Sequence, residues 1–128
     1  MCKTQQASLV DLFGRRESRI VIKVCAVADL PEGEAVRVEL EVPIAVFDVS
    51  GELFAIDDTC THQDASLADG FLEDDCTVEC PLHASCFDLR TGRPSGPPAK
   101  EAVRTHTVVV EDETIFVVLR PAIVPSLA

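Results

Sequence analysis

Regular alternation of apolar and polar residues runs through much of the chain. The segment AVRVELEV at 35–42 alternates without a break, and its apolar positions share one face: Val36, Val38, Leu40 and Val42. This period-two pattern is typical of a half-buried β-strand. Valine and other residues that favour strands recur elsewhere, and we also predict strands at 20–27, 44–49, 52–57, 103–110 and 114–119. The pattern predicts an antiparallel β domain.

Turn residues divide these strands and mark one long interruption. Ser50-Gly51 separates the third and fourth strand candidates and is predicted to form a tight hairpin. The pattern stops after residue 57, and residues 58–98 are rich in Gly and Pro, with only CTVEC and CFDL as short strand candidates. We expect a β base domain with an inserted, loop-rich segment that has little apolar core of its own.

Composition and charge narrow the possible functions. The 128 residues fit one domain. Eleven basic residues against 22 acidic ones give a net charge of −11, which argues against nucleic acid as a partner and favours a partner with a basic face. The sequence has no apolar run long enough to span a membrane and no secretory signal, so we predict a cytoplasmic protein. We expect a disordered extension at 1–19, a domain at 20–121 and a tail at 122–128.

Two cysteine-histidine pairs lie in the inserted segment. They read Cys60-x-His62 and Cys80-x-x-His83. Two thiolates and two imidazoles could hold a single zinc ion or a [2Fe-2S] cluster of mixed ligation. Common zinc fingers place two cysteines on one knuckle and two histidines on another, whereas here each loop supplies one of each. This order favours a two-iron cluster in which each loop provides one ligand to each iron. A structural zinc module is the alternative.

The motifs CTH and CPLH, together with FDLRTG and the SGPP segment, resemble those of the Rieske family. The resemblance extends upstream through VFDVSGELFAIDDTCTH and downstream to about Arg120. It is strongest to the soluble ferredoxins of aromatic-ring dioxygenases of the biphenyl or phenylpropionate type. It implies an all-β Rieske iron-sulfur fold, with a cluster-binding subdomain at about 58–98 and one [2Fe-2S] cluster. Cys60 and Cys80 would bind the inner iron, and His62 and His83 the outer iron near the surface.

The same resemblance implies an electron carrier that is not itself an enzyme. It would accept electrons from an NAD(P)H-dependent flavin ferredoxin reductase and pass them to a terminal Rieske non-haem iron dioxygenase. The small ferredoxin-like subunit of a nitrite reductase, which has a similar fold, is an alternative. A chain of 128 residues leaves no second domain for a mononuclear iron or flavin site.

Departures from the high-potential branch of the family predict a low reduction potential. Respiratory Rieske proteins carry a disulfide between the two motifs, but the matching positions here are Ala65 and Leu82. They also use a serine and a tyrosine as hydrogen-bond donors to sulfur. Ser85 occupies the first of these positions and Phe87 the second, and the loss of a donor lowers the potential.

The remaining cysteines and the third histidine have simpler interpretations. Cys25, Cys76 and Cys86 are predicted to fill the core, and Cys2 has no evident role. His106, on a strand, is predicted to lie at the surface or rim. We expect partners to dock where the motif loops present uncharged tips within an acidic rim, with tips at Gln63, Leu82 and Pro97 and a rim of Asp64, Asp69 and Glu73 to Asp75.

Overall fold

The computed structural model describes residues 20–61, 65–73, 75–82, 85–96, 99 and 101–120. In these residues antiparallel strands form two sheets. The strands are β1 (Val21–Ala26), β2 (Ala35–Val38), β3 (Ile44–Val49), β4 (Glu52–Asp57), β5 (Phe71–Leu72), β6 (Thr77–Glu79), β7 (Cys86–Asp88), β8 (Thr105–Glu111) and β9 (Thr114–Val118). Two 3-10 helices span Val27–Asp29 and Leu67–Asp69. The all-β prediction is confirmed. Within the described ranges, no helix has the length and apolar character needed to cross a membrane.

The larger sheet has the order β1-β9-β8-β4-β3-β2 and is built from hairpins. β3 and β4 are joined by Ser50 and Gly51, whose φ angles of 52° and 92° lie in the left-handed region. β8 and β9 are joined in the same way by Asp112 and Glu113, with φ angles of 52° and 59°. Two consecutive left-handed residues are typical of a tight turn whose twist matches that of paired strands. The hairpin predicted at Ser50-Gly51 is confirmed.

Strand β2 is shorter than the alternation predicts. It ends at Val38, which pairs with Ile44 at the start of β3. The chain must reverse between these two residues to pair antiparallel, so residues 39–43 form the connection. Val36, Val38 and Leu40 pack against the core, but Val42 is 46% exposed. The prediction was right for three of the four apolar positions and wrong for Val42.

Buried side chains form two clusters, one on each side of β3. Phe47 and Val49 point into one cluster, while Ile44 and Val46 point into the other. All six residues of β3 are therefore buried, which explains why its sequence is apolar on both faces. The first cluster also contains apolar side chains from the inserted segment: Leu67, Val78, Phe87 and Leu89. The apolar side chains of the insertion thus pack into a core that it shares with the base domain.

The smaller sheet has the order β5-β6-β7 and lies in the inserted segment. Two glycines allow its loops to approach other backbone closely. A Cβ atom on Gly70 would lie 2.2 Å from the carbonyl oxygen of Glu79, and one on Gly92 would lie 2.0 Å from that of Val103. No larger residue fits at these distances, so both contacts depend on glycine.

Candidate metal centre

Cys60 and Cys80 begin two loops that are closed in the same way. The amide of Cys60 donates a hydrogen bond to the carbonyl oxygen of Ala65 at 2.9 Å, and the amide of Cys80 donates to that of Ser85 at 2.9 Å. In both loops the acceptor is the fifth residue after the cysteine. Each loop encloses one predicted histidine ligand, but His62 and His83 themselves lie outside the described residues.

The two loops are held by paired backbone on either side. Thr59 and Ser66 form an isolated antiparallel bridge that flanks the first loop. Glu79 and Cys86, the terminal pair of β6 and β7, flank the second. The cysteine is in each case the first residue beyond the pair. Both cysteines therefore directly follow a residue whose backbone is paired with an antiparallel partner.

The donor set of these loops fits an iron-sulfur cluster. Cys60 and Cys80 are 3% and 1% exposed, belong to the same buried cluster and are present as thiols. Buried sulfur ligands suit a cluster whose inner iron is shielded from water. Among the described residues no group of three or more His, Cys, Asp or Glu side chains comes together. The two cysteines are therefore the half of the predicted ligand set that the structure places.

Side-chain hydrogen bonds tie both loops to the segment after Gly96. The hydroxyl of Thr61, in the first loop, donates to the carbonyl oxygen of Glu101 at 2.7 Å. The hydroxyl of Ser85, which closes the second loop, accepts from the amide of Ala99 at 3.0 Å and lies 3.4 Å from the carbonyl oxygen of Gly96. Ser85 therefore connects the second loop to this segment. Its donation of a hydrogen bond to cluster sulfur stays a prediction.

The carboxylate of Asp58 organises the first loop from inside the protein. Asp58 is 1% exposed, and its Oδ1 accepts hydrogen bonds from the hydroxyl of Ser66 and the amide of Ala68, both at 2.9 Å. Its main-chain oxygen accepts from the amide of Leu67 at 2.7 Å. These bonds fix the chain that returns from the first loop. Asp58 was not among the predicted site residues, although it lies two residues before Cys60.

The three cysteines outside the motifs that lie in the described part of the chain differ in burial. Cys76 is fully buried, as predicted, and Cys25 is half-buried against the core. Cys86 is half-buried on the outer face of β7, because the neighbouring Phe87 points inward, so its prediction as a core residue was wrong. Burial raises the pKa of the Cys25 thiol, with a contribution from Asp29. Burial and nearby carboxylates, led by Glu79, raise the pKa of the Cys86 thiol.

His106 is buried, and its prediction as a surface or rim residue was wrong. Its Nδ1 accepts a hydrogen bond from the amide of Arg120 at 2.8 Å, so the ring proton lies on Nε2 and is donated to Asp57 Oδ1 at 2.8 Å. Arg104 Nε also donates to Asp57, at 2.8 Å. Partial burial acts to raise the pKa of Asp57, but the hydrogen bonds from His106 and Arg104 outweigh it and lower that pKa. The network joins β4, β8 and the end of β9 just before the first loop.

Comparisons with known proteins agree with this geometry. The sequence model of the Rieske [2Fe-2S] domain matches residues 20–115. The 3-phenylpropionate/cinnamic acid dioxygenase ferredoxin subunit of Shigella boydii serotype 4 is 50% identical over 101 residues, which is 79% of this chain and 95% of the relative. The subunit of the same name from Escherichia coli K12 matches equally well, at 50% over 101 residues.

Solved structures show the same fold. A chain from the complex of reduced oxygenase and oxidized ferredoxin in carbazole 1,9a-dioxygenase has a TM-score of 0.73 and 36% identity, with 79% of this chain and 94% of that chain covered. The Sphingomonas yanoikuyae B1 ferredoxin has a TM-score of 0.71 and 36% identity, with 77% and 98% covered. A putative nitrite reductase small subunit from Mycobacterium tuberculosis, at 21% identity and a TM-score of 0.71 over 84% and 100% of the two chains, shares the fold alone.

The domain match over residues 20–115 includes both cysteine loops. The paired loops supply two buried sulfur donors, which are half of the four ligands that a two-iron cluster requires. The chain belongs to the Rieske [2Fe-2S] family, whose domain holds one such cluster.

Proposed function

We propose that the protein is the electron-carrier component of an aromatic-ring dioxygenase system. It accepts one electron at a time from an NAD(P)H-dependent flavin ferredoxin reductase and delivers it to a terminal Rieske non-haem iron oxygenase. The observation that carries this proposal is the 50% identity to dioxygenase ferredoxin subunits over 95% of their length. The oxygenase partner is further supported by the solved carbazole dioxygenase complex, in which a similar ferredoxin accompanies an oxygenase.

We assign Cys60 and Cys80 to the inner iron and His62 and His83 to the outer iron. The burial of both cysteines and the equivalent closure of their loops support this assignment. When bound, the cluster supplies a one-electron couple, neutral when oxidised and carrying one negative charge when reduced. The chain itself buries the two cysteine ligands and carries the two histidines further along the same two loops.

We also propose that partners dock on the loop that carries His83. Leu82, beside it, is 56% exposed, and an apolar tip permits close contact. Asp69, Glu73 and Asp75 are exposed nearby along the chain, and they would steer a basic partner face toward this tip. The other residues predicted for this surface, Gln63, Asp64, Asp74 and Pro97, lie outside the described residues.

The ligand assignment is tested by replacing cysteines in the anaerobically purified protein. Cys60→Ser and Cys80→Ser should each abolish the visible spectrum and the bound iron and acid-labile sulfide. Cys86→Ala is the matched control, because Cys86 flanks the second loop, and Cys25→Ala is a distant one. Both controls should keep the spectrum, and loss of colour in either would show that the ligand assignment is wrong.

The electron-carrier function is tested by reconstitution with a dioxygenase reductase and oxygenase. The reductase with NADH should reduce the cluster in a stopped-flow experiment, and the reduced protein should then be oxidised by the oxygenase. A colourless protein that binds one zinc ion per chain would overturn the proposal. So would a cluster that the reductase fails to reduce and the oxygenase fails to oxidise.

A further inference from the structure

The carboxylate of Asp58 has one oxygen that its hydrogen bonds to the first loop do not use. In the described part of the chain, the buried Oδ2 has no hydrogen-bond donor. The guanidinium of Arg37 on β2 forms an ion pair with it, with Nε 3.4 Å from Oδ2. The same Nε lies 2.7 Å from Oε1 of Glu39. Arg37 is therefore shared between a buried carboxylate and an exposed one.

The two members of this pair differ in their exposure to water. The side chain of Asp58 is 1% exposed and that of Arg37 is 41% exposed. Charges buried in protein interact more strongly than charges in water, and a buried carboxylate is costly unless a cation lies beside it. Arg37 thus offsets a buried negative charge that lies two residues from Cys60.

Reduction of a cluster held by Cys60, two residues from Asp58, would add a further negative charge to this part of the protein. Repulsion from Asp58 makes that electron harder to add, while attraction to Arg37 makes it easier. The hydrogen bonds from Ser66 and Ala68 meanwhile keep the carboxylate at a fixed place relative to the first loop. The pair combines a positioning contact with an electrostatic one.

We propose that Asp58 is a positioning residue for the first cluster loop and that the Asp58–Arg37 pair sets the reduction potential of the cluster. Asp58 lowers the potential and Arg37 raises it. The effect of Asp58 is the larger of the two, because water screens the half-exposed guanidinium more than the buried carboxylate. This inference rests on the assignment of Cys60 as a cluster ligand under the proposed function.

The electrostatic part is tested by measuring the reduction potential at pH 7 and one ionic strength. Asp58→Asn keeps an oxygen for Ser66 and Ala68 but removes the charge, so the potential should rise. Arg37→Gln should lower it, Arg37→Lys should leave it near the wild-type value, and the Asp58→Asn/Arg37→Gln double variant should fall between the two single variants. Lys23→Gln, the same charge change at an exposed site on β1, is the control and should leave the potential unchanged.

The signs of the shifts separate a charge effect from mere loosening of the loop. Loosening of the loop would shift the reduction potentials of Asp58→Asn and Arg37→Gln in the same direction. Shifts in the same direction, or unchanged potentials in both variants, would overturn the electrostatic part of the proposal. If Asp58→Asn fails to assemble a cluster, the reduction potentials of Arg37→Gln and Arg37→Lys test the electrostatic part by themselves. An Arg37→Gln potential equal to that of wild type then overturns it.

The positioning part is tested by the rate at which a chelator removes iron. Asp58→Ala removes Oδ1, the acceptor of both hydrogen bonds, and their loss should accelerate iron release roughly tenfold or more. Asp58→Asn should release iron at nearly the wild-type rate, and equal rates for the two variants would overturn the positioning role. A Cys60→Ser variant that keeps its cluster would instead overturn the ligand assignment, whatever the potentials and rates.

Discussion

Replacing His106 by alanine tests whether a buried network holds the base domain together just before the first cluster loop. The side chain of His106 is 1% exposed. It accepts a hydrogen bond from the amide of Arg120 and donates one to Asp57. Alanine removes both bonds and the ring, and it leaves the Asp57 carboxylate with Arg104 as its remaining partner in the network.

The expected cost follows from the two bonds. A hydrogen bond to a charged group contributes about 1.5–3 kcal/mol, and a neutral one about 0.5–1.5 kcal/mol. Because Asp57 is 16% exposed, water can replace part of what it loses, and the lower half of the range applies. We expect the free energy of unfolding to fall by about 2–3 kcal/mol, and Tm by about 10–20 °C for a domain of this size.

Circular dichroism of the cluster-loaded protein at pH 7 and one scan rate measures this change. A fixed scan rate is needed because cluster loss makes unfolding irreversible. His106→Gln, which can keep a donor toward Asp57, should lose less stability than His106→Ala. Thr107→Ala, an exposed neighbour on the same strand, should change stability by less than about 0.5 kcal/mol. If His106→Ala were as mild as Thr107→Ala, the network would not be stabilising.

Three further predictions concern the pH dependence of stability, the substitution of two glycines, and the rate of encounter with the reductase. Because hydrogen bonds lower the pKa of Asp57, its stabilising effect is complete above the unfolded value of about 3.9 and is lost as the pH falls through the folded value. The difference in urea midpoint between wild type and Asp57→Asn should thus be constant from pH 8 to pH 5 and narrow below about pH 4, and a difference that grows there would contradict the shift. Gly92→Ala should lower the free energy of unfolding in urea by about 2 kcal/mol or more. Gly33 also has a left-handed backbone, but nothing lies within 4 Å of the position that a Cβ would take there, so Gly33→Ala should add only backbone strain. Equal losses of stability would rule out the clash at Gly92. The Glu73→Lys/Asp75→Lys double variant should slow reduction by the reductase in stopped-flow measurements and weaken its dependence on salt, with the cluster spectrum unchanged; unaltered kinetics would leave these acids with no steering role.

The sequence alone was enough to predict the class of the fold and the family. Short apolar segments bounded by turn residues predicted β3, β4, β8 and β9, and the Ser50-Gly51 pair predicted its hairpin, because these signals are local. The two cysteine-histidine motifs are also local, and they indicated the family before any contact was known. The roles of Cys60 and Cys80 gain support from their burial, while those of His62 and His83 stay predictions.

Only the tertiary structure decided the contacts between distant parts of the chain. His106 reaches Asp57 across 49 positions, and Arg37 reaches Asp58 from a different strand, so no local pattern predicts either partner. Strand β2 ends where the antiparallel register with β3 requires a reversal, although the alternation continues. Cys86 faces outward because Phe87 fills the core. Periodicity tells which residues share a face, but burial and pairing depend on what the fold packs against that face.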